Sequence, residues 1–133
     1  MIQLENVQKE FRLRGNIIRA LADVNLQINA GEFVMIMGPT GCGKTTLLNV
    51  MSGLDLPDDG TIILDGEKIE RASEELLSNI RRRKVGFVFQ DFNLIENLTA
   101  IENIEAVLWP GVLRSKEIED RAIAALRKVD LLD

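Results

Sequence analysis

The sequence contains no histidine and only one cysteine among its 133 residues. Without histidine, the chain has neither an imidazole general base nor a histidine-ligated metal site. The single thiol, Cys42, rules out an intrachain disulfide, which is typical of proteins from reducing, intracellular settings. The N-terminus lacks the apolar core of a signal peptide, and no apolar run approaches the roughly 18 residues of a membrane span. If the protein works at a membrane, a partner must do the spanning.

The sequence also has no excess of basic residues, since it contains 16 lysines and arginines and 21 acidic residues, for a net charge of −5. This balance argues against a general nucleic-acid-binding protein. Apolar residues make up 46% of the chain and charged residues 28%, as in ordinary globular proteins. The length is that of about one domain, enough to bury roughly two thirds of the unfolded surface.

Two patterns of apolar residues predict the strands. Period-two alternation predicts an antiparallel pair around a turn at Gly15-Asn16, formed by "IQLENV" (2–7) and "DVNLQI" (23–28). Continuous apolar runs predict two parallel strands buried on both faces, "FVMIM" (33–37) and "VGFVF" (85–89). "TIILDG" (61–66) reads as a strand followed by a turn.

Capping signals and helical spacing predict four helices, with an irregular segment at 90–98. The first is expected from Lys44 to Ser52, ended by Gly53, and the second begins at the capping residue Ser73 and ends near Lys84. The third is expected to begin at the capping box of Thr99 and Glu102 and to end at Trp109-Pro110-Gly111. The fourth is expected over 115–130, with an apolar face formed by Ile118, Ala122, Leu126 and Val129.

The stretch "GPTGCGKTT" (38–46) matches the phosphate-loop pattern G-x-x-x-x-G-K-[ST], between a predicted buried strand and a helix. Its glycines permit positive φ, so successive backbone N–H groups can turn toward phosphate oxygens. The helix N-terminus and Lys44 add positive charge, and the Thr45 hydroxyl is a hard oxygen ligand for Mg²⁺. The loop therefore predicts a nucleotide-triphosphate site.

Other phosphate-loop classes fit less well. The GTPase motifs D-x-x-G and N-K-x-D do not occur downstream. The only basic run, "NIRRRKVG", is interpreted as a solvated helix end rather than a kinase lid. A kinase-like enzyme of another phosphate-loop class and a non-hydrolytic nucleotide-binding module stay open as alternatives.

Phe11, the block "GPTGCGKTTLLNVMSGLDLPDDGTIILDG" and the block "RRRKVGFVFQDFNLIENLTAIENI" together resemble the nucleotide-binding subunit of an ABC transporter. The most similar subgroup serves lipoprotein release and macrolide or peptide export, and the resemblance covers essentially all 133 residues. It implies an α/β fold of the ABC-type phosphate-loop ATPases, with a core parallel sheet, helices and an antiparallel β subdomain.

The resemblance also implies roles for individual residues, with ATP and Mg²⁺ as cofactors. Phe11 would stack on adenine, although a core aromatic at a strand end is the alternative. Gln90 would bind Mg²⁺ with Thr45 and sense the γ-phosphate, unless it is an ordinary strand-end glutamine. Cys42 is interpreted as a small tolerated side chain with no redox role. The residues expected to wrap the triphosphate are Gly38, Pro39, Thr40, Gly41, Cys42, Gly43, Lys44, Thr45 and Thr46.

The partners implied by the resemblance are a transmembrane permease subunit and a second nucleotide-binding domain, paired head-to-tail as a homodimer. Asp91 to Leu98 would face the permease, and Phe92, Leu94 and Ile95 suit such a docking surface unless they cap the local core. We therefore expect a cytoplasmic protein held at the inner face of the cell membrane through that subunit.

Several family motifs do not appear: the L-S-G-G-Q signature, the apolar strand ending in Asp, the catalytic Glu and the switch His. "TIILD" (61–65) imitates the strand, but it lies too near the loop, so Asp65 is interpreted as a turn residue. We expect residues 1–133 to be the N-terminal part of one ABC-type nucleotide-binding domain, without catalytic residues and inactive alone. The family's missing strands would leave a gap between 33–37 and 85–89, and open edges of this kind invite association.

Overall fold

The computed structural model describes residues 1–109 and 114–131. Its elements are the strands β1 (Ile2–Leu13) and β2 (Asn16–Ile28), the helix α1 (Lys44–Met51), the strands β3 (Asp59–Leu64) and β4 (Glu67–Lys68), and the helices α2 (Glu74–Lys84), α3 (Ala100–Leu108) and α4 (Ser115–Arg127). The chain divides into two compact units, Met1–Phe87 and Val88–Asp133.

The first unit is built on a four-stranded antiparallel sheet in the order β2-β1-β3-β4. The hairpin of β1 and β2 was predicted, but both strands extend beyond the alternating segments to the turn at Gly15. The strand at 61–64 and the turn at Asp65 and Gly66 are confirmed, since both turn residues have positive φ. The short strand β4 was not predicted.

A hydrophobic core lies where α1 and α2 pack on this sheet. Its buried side chains come from β1, β2, α1, β3, the segment after β4 and α2, and they are Leu4, Val7, Leu21, Val50, Met51, Ile62, Leu64, Ile69, Leu77 and Ile80. α2 begins as predicted, because the Ser73 hydroxyl accepts a hydrogen bond from the Leu76 N–H. Its last turn carries the run Arg81 to Lys84 at the negative end of the helix dipole.

The two predicted parallel strands are not formed. Residues 33–37 and 85–89 carry no strand assignment, and every paired strand in the described part of the chain is antiparallel. Most side chains of 33–37 are exposed, and Phe33 is 90% exposed. The apolar pattern reports which surfaces favour burial, but a strand also needs a neighbour for its backbone hydrogen bonds, and none of the described strands supplies one.

The second unit contains α3 and α4. α3 starts at the predicted capping box, in which Thr99 and Glu102 cap each other's backbone N–H groups. Its predicted end at Pro110-Gly111 lies outside the described residues. α4 buries Ile118, Ala122 and Leu126 as predicted, but Val129 is exposed because the helix ends at Arg127.

Candidate functional site

The phosphate-loop segment leads from 33–37 into α1, and its glycines adopt conformations that other residues rarely take. Gly41 and Gly43 have φ of 82° and 94°, and Gly43 is the N-cap residue of α1. The Gly43 carbonyl accepts the first helical hydrogen bond from the Leu47 N–H at 2.8 Å. These left-handed turns direct the backbone through a tight bend into the helix, which is the local geometry expected of an anion-binding loop.

Lys44 folds back over the loop that precedes it. Its Nζ donates hydrogen bonds to the carbonyl oxygens of Gly38 at 2.9 Å and Pro39 at 2.8 Å, and lies 3.7 Å from the Cys42 Sγ. The ammonium is thereby held within the bend formed by residues 38–43. A phosphate oxygen that binds in this bend would gain the full positive charge by replacing one of these carbonyl oxygens as the hydrogen-bond acceptor of the ammonium.

The N-terminus of α1 carries no side-chain cap and no acidic residue in its first turn. Its first N–H groups therefore point outward without a side-chain acceptor, and the helix dipole adds partial positive charge there. Thr45, exposed in this first turn, presents a hydroxyl at the same end of the helix. The segment fits an anion with several oxygens, together with a hard cation that such oxygens share.

A bulge in β2 brings the hairpin against the loop. Leu21 pairs with Lys9 and Arg19 with Glu10, which leaves Ala20 as the extra residue of the register shift. A Cβ at Gly43 would lie 2.4 Å from the Ala20 carbonyl oxygen. The hairpin and the start of α1 thus approach so closely that only glycine fits between them.

Phe11 lies on β1, opposite Ile18 of β2. The residue is 42% exposed, so it is not the buried core aromatic that was considered as an alternative. The Lys9 ammonium lies over its ring, 5.5 Å from the centroid. The ring is fixed on the sheet and still presents surface to a flat ligand.

Gln90 and residues 91–98 belong to the second unit. Gln90 is exposed in a turn, and Phe92 and Asn93 have positive φ. Phe92, Leu94 and Ile95 are all exposed, so they do not cap a local core. One side chain holds the segment: Asn103 Oδ1 accepts from the Ile95 N–H, and its Nδ2 donates to the carbonyls of Ile95, Leu98 and Thr99.

Asp65 is confirmed as a turn residue rather than the end of a catalytic strand. Its carboxylate accepts a hydrogen bond from Lys84, and this bond is the main reason why the pKa of Asp65 lies below its ordinary value. The group is exposed and lies in an ion pair with Lys84.

The sequence analysis did not identify three residues whose contacts organise these segments, namely Lys9, Arg81 and Asn103. The Arg81 guanidinium donates a hydrogen bond to the Gly53 carbonyl at 2.6 Å, just after the end of α1. No motif signals Lys9 or Arg81, because their partners lie far along the chain. Asn103 lies four residues after the capping threonine, where asparagine can bond backbone groups of the preceding turn.

Within residues 1–109 and 114–131, no helix is both long and apolar enough to cross a lipid bilayer. Over the same residues, no group of three or more histidine, cysteine, aspartate or glutamate side chains converges as a metal site.

Residues 21–133 match the model of the ABC transporter family. The ABC transporter ATP-binding protein MJ0796 of Methanocaldococcus jannaschii is 46% identical over 98% of this chain, which covers 57% of that protein. The lipoprotein-releasing system ATP-binding protein LolD of Bacteroides thetaiotaomicron is 41% identical over the whole chain, which covers 59% of it. The macrolide export ATP-binding/permease protein MacB of Brucella abortus is also 41% identical, with 21% of its length covered.

The structure agrees with these sequence matches. A dimeric structure of the ATP-binding cassette MJ0796 in a post-hydrolysis state, bound to ADP and Pi, superimposes with a TM-score of 0.88 at 44% identity. The match covers 98% of this chain and 57% of that one, so the chain spans less than two thirds of the relatives it matches. The α/β fold expected from the resemblance is confirmed at this level, and the chain belongs to the ABC transporter family, among relatives that are ATP-binding proteins.

Proposed function

We propose that this protein binds Mg-ATP as the ATP-binding subunit of an ABC transporter, of the type that serves lipoprotein release and macrolide or peptide export. The observation that carries the proposal is the Lys44 ammonium, which is held over the phosphate loop at the uncapped N-terminus of α1. A triphosphate in this loop gains the lysine charge, the N-terminal N–H groups and the helix dipole together.

Each residue of the proposed site has a chemical role. Lys44 and the backbone N–H groups of residues 38–46, except Pro39, hold the triphosphate, while Phe11 stacks on the adenine. The Thr45 hydroxyl and the Gln90 amide bind Mg²⁺, which when bound offsets negative charge on the phosphates. The full set of proposed ligand-binding residues is Phe11, Gly38, Pro39, Thr40, Gly41, Cys42, Gly43, Lys44, Thr45, Thr46 and Gln90.

The complete protein would form a homodimer with a second copy, and it would contact a membrane permease subunit through residues near 91–98. The relatives support both partners, since MJ0796 has a dimeric structure and MacB is named an ATP-binding/permease protein. The Asn103 side chain gives 95–99 a fixed backbone, which suits a surface that must transmit force to another subunit. We accordingly place the protein in the cytoplasm, at the inner face of the cell membrane.

Hydrolysis needs a group that positions the attacking water and a second clamp on the γ-phosphate. Residues 1–133 contain no L-S-G-G-Q signature and no histidine. We infer that these residues bind nucleotide without turning it over, and that hydrolysis coupled to transport belongs to the complete protein.

Titration calorimetry with Mg-ATP tests the proposal. Lys44→Ala should weaken binding about 10- to 100-fold, because charge-assisted hydrogen bonds to the phosphates are lost. Lys68→Ala removes an exposed lysine from β4 and is the matched control, which should bind as the unaltered chain does. Equal binding by all three proteins would refute the proposed site, and phosphate release that depends on Lys44 would refute the inferred inactivity.

A further inference from the structure

The Lys9 side chain is largely buried beside the exposed ring of Phe11. Only 12% of this side chain is exposed, although lysine ordinarily extends into water. Its ammonium donates to the Asp55 carboxylate at 2.8 Å and to the Leu56 carbonyl oxygen at 2.6 Å. It also lies 5.5 Å from the centroid of the Phe11 ring. Two of its three N–H donors are therefore used by oxygens, and the cation is held against the aromatic ring.

The loop that supplies these oxygens is itself tied to β1. The Asp58 carboxylate accepts a hydrogen bond from the Glu10 N–H at 2.6 Å, and the Asp58 N–H donates to the Gln8 carbonyl at 2.9 Å. The Asp55 carboxylate also accepts from the Leu56 N–H. Since the loop is fixed to the same strand that carries Lys9 and Phe11, the ammonium has little freedom to leave the ring.

The fixed Lys9 ammonium lowers the π-electron density on the opposite face of the Phe11 ring. The face of a phenyl ring carries negative charge, and a nearby ammonium attracts that π density toward itself. The face away from Lys9 then repels the π electrons of a stacked base less strongly. Phe11 keeps 42% of its surface exposed, which leaves room for such a base.

We propose that Lys9 is a positioning residue for nucleotide recognition, which holds and polarises Phe11 so that the ring stacks on the purine of ATP. The proposal rests on the proposed function, because it assigns the base to Phe11. Two parts of the site then contribute separately to affinity. The phosphate loop binds the triphosphate, whereas the Lys9–Phe11 pair makes the site selective for a ligand that carries a base. Asp55 contributes indirectly by fixing the ammonium.

The test compares ATP with inorganic tripolyphosphate, which has the phosphates without the base. Dissociation constants for both magnesium complexes are measured by titration calorimetry on the full chain and on Lys9→Met. The substitution keeps the apolar stem and removes the charge. We expect the preference for ATP over tripolyphosphate to fall about three- to tenfold, while tripolyphosphate affinity stays within about twofold. Lys68→Met, on exposed β4, is the matched control and should change neither ligand.

A double-mutant cycle covers the case in which Lys9→Met perturbs folding. In a Phe11→Leu background, Lys9→Met should lower the ATP preference no further, because both changes act through the same ring. Lys9→Arg keeps a cation and should retain the preference. Equal weakening of the binding of both ligands, or additive effects of Lys9 and Phe11, would show that Lys9 only stabilises the fold.

The unaltered chain distinguishes this proposal from the proposed function. If it binds neither ligand, the phosphate-loop proposal itself fails. If it binds tripolyphosphate as tightly as ATP, only the role given to Phe11 and Lys9 is contradicted.

Discussion

At the residue scale, the positions that sequence reasoning identified are those whose chemistry is local. The glycines, Lys44 and the helix start lie within nine consecutive residues, so their types and spacing suffice to predict a bend that ends in a helix. Lys9 was not predicted as part of any site, because its partners Asp55 and Leu56 lie 46 and 47 residues away. A long-range contact leaves no periodic or spacing signal in the sequence.

Gly43 gives a prediction at this scale. Gly43→Ala adds a Cβ at 2.4 Å from the Ala20 carbonyl oxygen in a residue whose φ is 94°. We expect a loss of about 2–3 kcal/mol in the free energy of unfolding, together with weaker Mg-ATP binding. Chemical denaturation and calorimetry would measure the two effects.

Gly41→Ala is the matched control for this clash. Gly41 has a similar φ of 82°, but a Cβ there meets no atom within 4 Å. Its cost should therefore be that of backbone strain alone, about 1–2 kcal/mol. Equal losses in the two variants would contradict the role given to the Ala20 contact.

At the element scale, the helices with capping signals and the antiparallel strands were predicted well, whereas the two strands predicted to pair in parallel were not. Thr99 and Glu102 form their capping box within one turn, so T-x-x-E located the start of α3. The segments at 33–37 and 85–89 have the composition of buried strands, yet they are not strands in the structure. Strand formation depends on a partner that composition does not specify.

Glu102 makes the start of α3 sensitive to acid. The hydrogen bond from the Thr99 N–H, with a second from its hydroxyl, lowers the pKa of Glu102 below its ordinary value. Since the pKa is lower in the folded state, the stabilisation is complete above the unfolded pKa of about 4.3 and is lost as the pH falls through the folded value. We expect the Asn103 amide, which bonds the Thr99 carbonyl, to lose protection from hydrogen exchange over that acidic range.

Glu102→Gln provides the control for this pH effect. Its amide oxygen can still accept the two hydrogen bonds, but the group no longer titrates. Protection of Asn103 should then become independent of pH in the acidic range, apart from the intrinsic exchange rate. Unchanged pH dependence in Glu102→Gln would contradict the assignment to Glu102 and would point to another carboxylate.

At the scale of the whole molecule, the described chain combines a well-packed β-rich core with apolar side chains that face solvent. Leu4, Val7, Val50 and Ile62 are almost fully buried, whereas Phe33 is 90% and Val88 96% exposed. Exposed apolar residues of this size favour protein contacts. The sequence predicted the segments 33–37 and 85–89, which contain Phe33 and Val88, as buried strands, because hydrophobicity alone does not distinguish a side chain with a packing partner from one without.

These exposed residues predict self-association of residues 1–133 at concentrations on the order of 10 µM. The double variant Phe33→Lys, Val88→Lys should shift the sedimentation profile toward monomer, because charge opposes apolar contact between chains. Ile17→Lys changes an exposed apolar residue in the hairpin instead and should leave association unchanged. A monomeric unaltered chain at that concentration would contradict the prediction.

The hydrogen bonds of Lys44 to Gly38 and Pro39 also bear on ion selectivity. An incoming anion must compete with two carbonyl oxygens for the ammonium, so binding is an exchange of partners rather than the capture of a bare charge. Chloride offers one diffuse charge and gains little by this exchange, whereas a polyphosphate brings several oxygens at once. A loop that binds Mg-ATP as proposed would therefore discriminate against monovalent anions, because these cannot replace both carbonyl oxygens at once.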